Sequence, residues 1–433
     1  MIIGTLLSLP RKRLVATLVA LLLCAWAGLA LLVVQAHVGE SVVTRTLPPS
    51  TWVALPPIPS QGLNAIFAAA VSPADNQVVI VGSSDGSLTR SSDGGSSWKV
   101  VRKGLAAILA LAFSPFKAGF VLAGTRGGGA LASTDAGLTW AAVKGLEGRS
   151  VRVFSFALAF VVAGTDRGVY ASPDGLAWKS SGLSNASIGA LAVAAIHDPV
   201  RLVAGSDSAS RTGGLPLYQS KDGGLTWAVL RTSVSGKVIS SVVSGPLPPG
   251  ITIRPLVVGT NTGLFSSSDN GATFTPNSGG GLLPSTDYTQ VAFVTTHFDR
   301  FYAASDGGGS SSGGLWRTRD AGRHFSSLAP PMPSVTALAV SNDETPILYV
   351  ATFRPADHVA VLWAYRDTGA PPQGQPATPT PVTSGGRTNS PPGGTSGISQ
   401  LLLSARTPYI AIGVVALIVI LMAVVSHFRG RRG

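Results

Sequence analysis

The stretch SKDGGLTW, residues 220–227, decides the fold because it is one of six copies of the same short pattern. Each copy has a Ser or Thr, an Asp two residues later, a Gly and a closing Trp or Phe. The six acids are Asp93, Asp135, Asp174, Asp222, Asp269 and Asp320. They recur at intervals of about 40–50 residues, and such a period predicts an architecture built from similar units.

Each unit also carries the pattern of four short strands. In the second unit, apolar stretches at 107–115, 120–125, 130–134 and 138–143 are separated by Ser-Pro, Gly-rich and Asp-Gly turns. Four short strands per unit, separated by turn residues, are typical of a β-propeller blade. The sequence therefore predicts an all-β protein, a single propeller of four-stranded antiparallel blades.

A seventh unit is divided between the two ends of the repeat region. YRDTG at 365–369 supplies Asp367 and a Gly but is followed by prolines, whereas Thr51-Trp52 opens an apolar stretch with no Asp turn before it. Joining the two halves gives a seven-bladed ring whose last blade is completed by an N-terminal strand. Such closure removes the open sheet edges that favour aggregation.

Two apolar segments flank the repeats, and each is long enough to predict a transmembrane helix. Basic residues lie before the first segment and after the second, so the positive-inside rule predicts two cytoplasmic termini and an extracytoplasmic propeller. The alternative for the first segment is a cleaved signal peptide, which leaves a C-terminal anchor. Both interpretations predict that the propeller is exported and held at the cell membrane.

The expected organisation has seven regions, of which the fifth is too poor in large apolar residues to fold. They are a basic cytoplasmic N-terminus (1–13), the first transmembrane helix (14–36), a spacer (37–50), the propeller (51–369), a disordered linker rich in Pro, Gly, Ser and Thr (370–407), the second transmembrane helix (408–427) and a basic cytoplasmic tail (428–433).

Charge and residue usage exclude several classes of function. The net charge is +12, but six of the 32 basic residues lie in the flanks and the others are scattered, which argues against a nucleic-acid partner. The single cysteine, Cys24, cannot form an intramolecular disulfide or a cysteine metal site. The six histidines show no paired ligand spacing. We expect neither a metal nor a cofactor.

The repeated pattern resembles the BNR or Asp-box repeat of sialidases, sortilin-type receptors, xyloglucanase-like glycosidases and photosystem II assembly and stability factors. The resemblance implies the propeller fold but no single activity, because these families do different things. The residues themselves indicate a scaffold: an Asp accepts hydrogen bonds from turn N–H groups, a Gly takes positive φ, and the aromatic ring is buried. We therefore interpret Asp93, Asp135, Asp174, Asp222, Asp269, Asp320 and Asp367 as structural, with no catalytic residue among them.

A candidate binding rim lies on the opposite face, where strands two and three of each blade are joined. These turns place Arg126, Arg167, Arg211 and Arg354 on one rim, with Asp85, Asp166, Asp207 and Asp306 among them. Clustered arginines suit a carboxylate or an acidic partner. The alternative is that they are ordinary solvated turn charges.

The favoured function is a non-enzymatic, membrane-anchored platform for protein binding or assembly, and the alternative is a sialidase-like hydrolase or a glycan-binding receptor. The chain has three glutamates, Glu40, Glu147 and Glu344, and none is placed beside a Tyr as a sialidase needs. The resemblance to photosystem assembly factors implies an extracytoplasmic protein partner. We expect a membrane or envelope protein, with a glycan as the alternative ligand.

Overall fold

The computed structural model describes residues 47–370, with gaps at 60–64, 196–199, 209–214, 252, 278–280, 284, 308–312, 355 and 357. In this part the chain forms 28 strands in seven four-stranded antiparallel sheets. The innermost strand of each sheet contacts the innermost strand of the next, and that of the last sheet contacts that of the first. The fold is a closed seven-bladed β-propeller, and this prediction is confirmed.

The strands run from blade one to blade seven in chain order, except that β1 (Trp52–Ala54) belongs to blade seven. Blade one contains β2 (Ile66–Val71), β3 (Val79–Ser83), β4 (Leu88–Ser91) and β5 (Lys99–Arg102). Blade two contains β6 (Ile108–Phe113), β7 (Val121–Thr125), β8 (Ala130–Ser133) and β9 (Ala141–Ala142). Blade three contains β10 (Val151–Phe156), β11 (Val161–Thr165), β12 (Gly168–Ser172) and β13 (Lys179–Ser180).

Blade four contains β14 (Ile188–Ala195), β15 (Arg201–Ser206), β16 (Leu217–Ser220) and β17 (Ala228–Val229). Blade five contains β18 (Ile239–Ser244), β19 (Leu256–Thr260), β20 (Gly263–Ser267) and β21 (Thr275–Pro276). Blade six contains β22 (Gln290–Phe293), β23 (Phe301–Ser305), β24 (Gly314–Thr318) and β25 (Ser326–Ser327). Blade seven contains β26 (Val335–Val340), β27 (Ile347–Arg354), β28 (Val359–Arg366) and β1.

Ring closure occurs in blade seven, where the first strand of the propeller pairs with the last. β1 lies antiparallel to β28, with Trp52 opposite Tyr365 and Ala54 opposite Trp363. Trp52 is 3% exposed, and its indole N–H donates to the carbonyl of Leu328 in blade six at 2.7 Å. The N-terminal strand therefore completes blade seven and also fastens it to blade six, as the divided seventh unit predicts.

The core is a ring of seven apolar layers, one between each pair of neighbouring blades. The closing aromatic of each repeat packs in the layer shared with the preceding blade. Its ring turns in from the outer edge, which explains why the repeat needs a large apolar side chain at this position. The seven aromatics, from blade one to blade seven, are Trp98, Trp140, Trp178, Trp227, Phe274, Phe325 and Trp52.

A glycine in the second strand of blades one to five lets the next blade approach. A β-carbon on Gly82 would lie 2.3 Å from Cγ2 of Ile108, and one on Gly205 would lie 2.2 Å from Cγ2 of Ile239. These distances are too short for any real contact. The Gly-Thr and Gly-Ser pairs of the repeat are therefore a packing requirement of the ring.

The outermost strands are shorter than the sequence predicts. In blade two, only Ala141–Ala142 of the apolar stretch 138–143 pairs with the neighbouring strand, and both alanines are exposed. Trp140 precedes the strand and directs its indole inward, where it donates to the carbonyl of Gly137 at 3.0 Å. Because the Trp140 ring turns inward, the backbone at this residue does not pair with the neighbouring strand.

The predicted transmembrane helices at 14–36 and 408–427 lie outside the described residues, as do the termini and most of the spacer and linker. Within the part of the chain that the structure describes, no helix is long and apolar enough to cross a membrane.

Candidate binding face

The antiparallel strand order gives the propeller two distinct faces. The turns between strands three and four, which hold the repeated Asp, lie on one side, which we call the box face. The turns between strands two and three lie on the other side together with the connections between blades, and we call this side the upper face. The candidate arginine rim belongs to the upper face.

On the box face, the repeated Asp is used within its own turn. In blade four, the hydroxyl of Ser220 donates to Asp222 Oδ1 at 2.7 Å, and the Thr226 hydroxyl donates to Oδ2 at 2.5 Å. The backbone N–H of Thr226 also donates to Oδ1, at 2.9 Å. These hydrogen bonds, led by that from the Thr226 side chain, lower the pKa of Asp222 to about 2. The carboxylate is therefore ionised at neutral pH, and both of its oxygens accept hydrogen bonds within the turn.

The other described boxes repeat this geometry with local variations. Asp93, Asp135 and Asp269 each accept a hydroxyl from the preceding Ser and from the following Ser or Thr. In blade six, His324 replaces the Thr, and its Nδ1 lies 2.6 Å from Asp320 Oδ2. In blade three, Asp174 keeps the bonds to Ser172 and to backbone N–H groups. Such contacts are those of a turn that satisfies its own backbone.

Asp367 departs from the pattern predicted for it. It is 1% exposed, and it accepts hydrogen bonds from the Tyr302 hydroxyl at 2.7 Å and from Arg317 Nη1, both in blade six. The chain explains the difference: the residue two before it is Tyr365 rather than Ser or Thr, and the residue four after it is Pro371, which has no N–H to donate. Asp367 therefore joins two blades, although it also accepts the backbone N–H of Gly369 in its own turn at 2.8 Å.

The rim arginines are brought to the upper face but are not gathered into one cluster. Arg126 in blade two is exposed, and its guanidinium carbon lies 6.0 Å from the centre of the Phe67 ring in blade one. Arg167 in blade three is exposed, and so is Arg354, the last residue of β27 in blade seven. Arg211 lies outside the described residues.

The acids of the rim make two kinds of contact, one within a blade and one between neighbouring blades. Asp85 accepts the backbone N–H of Ser87 at 2.9 Å, and Asp166 accepts that of Ser150 at 2.9 Å. Asp85 holds its own turn, and Asp166 links its turn to the connection before β10, so both contacts stay on one blade and fit the alternative of ordinary turn charges. Asp207 instead forms an ion pair with Arg152, from the innermost strand of the neighbouring blade. The sequence prediction did not include Arg152.

Arg152 belongs to a set of residues that the repeat places at one end of the central channel. In six blades, the pairing of the innermost strand with the second strand skips one residue, which makes a β-bulge at an equivalent position. The skipped residues follow the first residue of the strand, on the side of the upper face. They are Phe67, Leu109, Arg152, Gly189, Ser240 and Thr336.

Five of these bulge residues line a cavity of about 300 Å³ in the channel, and Thr289 joins them from blade six. The ion pair lies at this cavity, with the Arg152 side chain 34% exposed and that of Asp207 27% exposed. Gly189 leaves room for it, because a β-carbon there would lie 2.9 Å from Cβ of Asp207. We call this region, with the rim arginines around it, the channel mouth.

The far side of the channel mouth carries acidic groups. Asp287, in the connection between blades five and six, accepts a hydrogen bond from Ser240. Burial raises the pKa of Asp287, and the nearby Asp306 carboxylate adds to the rise while the Ser240 bond opposes it. These two carboxylates on blades five and six add to the mixed charges of the mouth, where arginines and acids occur on several blades.

The remaining candidate groups for catalysis or metal binding are the histidines and glutamates of the described residues. Within them, no cluster of His, Cys, Asp and Glu is grouped so as to hold a metal ion. Glu147 accepts the backbone N–H of Gly145, and Glu344 lies 3.4 Å from His297. Glu40 lies outside the described part of the chain.

The fold defines a class of protein, the single seven-bladed propeller of four-stranded blades. Two solved structures that share it are YCF48 from Cyanidioschyzon merolae (TM-score 0.51, 16% identity, covering 73% of this chain and 98% of that one) and YCF48 bound to D1 peptide (0.51, 15%, 76% and 99%). The GH74 xyloglucanase from Xanthomonas campestris is similar over part of its length (TM-score 0.52, 16% identity, covering 74% of this chain and 56% of that one). At these identities the likeness establishes the fold alone. No protein-family model matches the chain, and no curated protein matches it significantly.

Proposed function

We propose that this protein is a non-enzymatic binding platform, held at the extracytoplasmic side of a membrane, that takes up a membrane or envelope protein at the channel mouth. The observation that carries the proposal is a contrast between the two faces. On the box face, equivalent positions hold the same residue types with the same hydrogen bonds, blade after blade. At the channel mouth, equivalent bulge positions hold a different side chain in almost every blade.

This contrast supports binding because a repeat constrains only the positions that the fold uses. The bulge residues are all half-buried and, apart from Gly189, carry an aromatic ring, an aliphatic group, a guanidinium or a hydroxyl at equivalent positions of the ring. A face with one distinct group per blade suits recognition of one irregular surface, with arginine and aromatic groups as anchors. The fold likeness to YCF48 bound to D1 peptide is consistent with a protein partner.

The two ends of the propeller lie on the face opposite the channel mouth. The Ser50 hydroxyl lies 2.8 Å from that of Thr368, so the chain enters and leaves the propeller at neighbouring points of the box face. Both predicted anchors therefore connect to the box face, and neither connection leaves from the channel mouth.

The first experiment is chemical crosslinking of the full chain in native membranes, followed by affinity recovery and mass spectrometry. The double variant Arg126→Ala/Arg167→Ala removes two charges from the upper face. The matched control, Lys117→Ala/Lys221→Ala, removes two exposed charges from the box face. Recovery of a defined protein should fall at least about tenfold in the first variant only, since anchor residues each contribute more than about 1 kcal/mol. Equal recovery of the protein from both variants would rule out the upper-face arginines as the binding site.

A second candidate function, glycoside hydrolysis, is kept for one observation. Asp287 has a raised pKa near a second carboxylate, Asp306, and accepts a hydrogen bond from Ser240, which lines the channel cavity. A general acid needs a raised pKa and a second carboxylate nearby. Release of reducing ends from envelope polysaccharide, abolished by Asp287→Asn, would favour this function over the platform.

A further inference from the structure

A groove on the box face separates blades five and six and is distinct from the channel mouth. Its volume is about 530 Å³. Phe298 lies at the groove and is 39% exposed, although it is a large apolar side chain. The Phe293 and Phe301 rings, whose centres lie 4.9 Å apart, form part of its wall. Pro255 and Pro276 add to this aromatic part of the wall, and most of the rest of the lining is polar.

The closing aromatic at this blade interface differs from that of blades two, three and four. The closing aromatic of blade six is Phe325, whereas those of blades two, three and four are Trp residues that donate to the carbonyl of their own box Gly. A phenyl ring is smaller than an indole and makes no such bond. The Phe325 ring packs against Phe301 with centres 5.7 Å apart, and the groove lies over this pair.

The described chain ends on the other side of the same turn. The carbonyl oxygens of Gly369 and Ala370 accept hydrogen bonds from Arg317 Nη2 at 2.6 and 3.1 Å. Arg317 belongs to β24 of blade six, and the box turn that follows β24 supplies Ala321 and Arg323 to the groove. The exit of the chain and the groove therefore flank a single box turn.

The residues that follow this exit have the chemistry that such a groove binds. They read PPQGQPATP, residues 371–379, and Pro376 and Pro379 make a P-x-x-P pattern. Proline-rich segments prefer an extended polyproline helix, which docks in grooves lined by aromatic rings. Its backbone carbonyls need external donors, and Asn277 and Arg323 at the groove carry side-chain N–H groups.

We propose that the groove between blades five and six is the docking site of this chain's own segment 376–379. The reach suffices: neighbouring sheets pack about 10 Å apart, and five residues of polyproline helix span about 15 Å. Residues 371–375 therefore carry Pro376 across the box turn. Docking moves the start of the predicted free linker from residue 370 to about residue 380.

Disulfide trapping in the full chain tests the proposal. In a Cys24→Ser background, Thr378→Cys is combined with Ser268→Cys, which lies at the groove. The matched control combines Thr378→Cys with Thr134→Cys, the equivalent exposed box position of blade two. Docking raises the local concentration at the groove, so the first pair should close at least about tenfold faster. Equal rates overturn the proposal, and a crosslinked dimer assigns the groove to a second copy instead.

A second comparison shows whether the aromatic lining is responsible. Phe298→Ala should slow the Ser268→Cys/Thr378→Cys closure severalfold, as should Pro376→Ala/Pro379→Ala. Phe116→Ala is the control, because Phe116 is 47% exposed in the corresponding turn of blade two and lies away from the groove. If Phe298→Ala leaves the rate unchanged in protein with the normal urea midpoint, docking on the phenylalanines is wrong. Since the groove is on the box face, neither result bears on partner binding at the channel mouth.

Discussion

The buried carboxylate of Asp367, just after the last strand of blade seven, accepts a hydrogen bond from the hydroxyl of Tyr302 in blade six at 2.7 Å. Arg317, also in blade six and nearly buried, pairs with the same carboxylate. Burial, reinforced by that carboxylate, raises the pKa of Tyr302, so its hydroxyl stays protonated and donates. The junction where the ring closes is thus held by a buried ionic network, in addition to the apolar layer found at every blade interface.

Asp367→Ala should destabilise the propeller far more than the same change in an ordinary box. It leaves the Arg317 guanidinium buried without its partner, which costs about 3–5 kcal/mol. The comparison is the free energy of unfolding in urea against Asp222→Ala, whose carboxylate lies at the surface. The double variant Arg317→Met/Asp367→Leu should recover much of the loss, because it removes both charges. An Asp367→Ala protein as stable as Asp222→Ala would contradict the assigned role.

Trp52→Ala should loosen the closing strand. The change empties a site that is 3% exposed and removes the hydrogen bond to Leu328, and large-to-small changes of this kind cost about 3–5 kcal/mol. Leu225→Ala is the control, since that side chain is 84% exposed and should change stability by less than about 0.5 kcal/mol. Thermal unfolding by circular dichroism measures both. Similar midpoints for the two variants would mean that β1 does not close the ring.

Gly82→Ala should destabilise by overpacking, although alanine suits a strand better than glycine. The new methyl group would meet Ile108 of the next blade, and such overpacking costs about 1–3 kcal/mol. Adding Ile108→Ala should make the combined loss smaller than the sum of the single losses. Blade six has Ala304 at the equivalent position, and Ala304→Gly there should cost only about 0.5–1 kcal/mol. Strictly additive losses in the first pair would refute the contact.

Stability should fall in acid as the box carboxylates become protonated. Hydrogen bonds from Thr226 and Ser220 lower the pKa of Asp222 to about 2; at Asp135 burial acts in the opposite direction, but the bonds outweigh it and the pKa is again about 2. A depressed native pKa stabilises above the unfolded value of about 4, and this stabilisation is lost as pH falls toward 2. Urea midpoints at pH 5 and pH 2.5 measure the loss. Asp222→Asn should reduce the difference between the two midpoints, and an unchanged difference would exclude that residue.

The fold was predictable because its repeat is local. The hydroxyl and backbone N–H groups of a box turn find their acceptors within eight residues. The pattern is therefore visible in the sequence, and each copy predicts one blade. The unpaired halves at Trp52 and Asp367 then predict ring closure. The shortened outer strands were missed because the inward turn of Trp140 depends on the neighbouring blade.

The candidate site was predictable only in part, because its contacts cross from blade to blade. The turn pattern assigns Arg126, Arg167 and Arg354 to the upper face, whereas the bulge that presents Arg152 follows an ordinary strand pattern. Its partner Asp207 lies on the next blade, and Gly189 makes room for that carboxylate. The sequence signal was the divergence at the second residue of each innermost strand, where the scaffold positions around it repeat.

The pairing of β1 with β28 also determines when the ring can close during synthesis. Ser50 and Thr368, which meet at the closure, are 318 residues apart in the chain. At about 5–20 residues per second, the ribosome needs on the order of 15–60 s to make the intervening chain. Throughout this interval the indole of Trp52 has no blade to enter. We therefore expect the nascent propeller to be an open arc with an unpaired first strand, accessible to chaperones and proteases until the last strand is made.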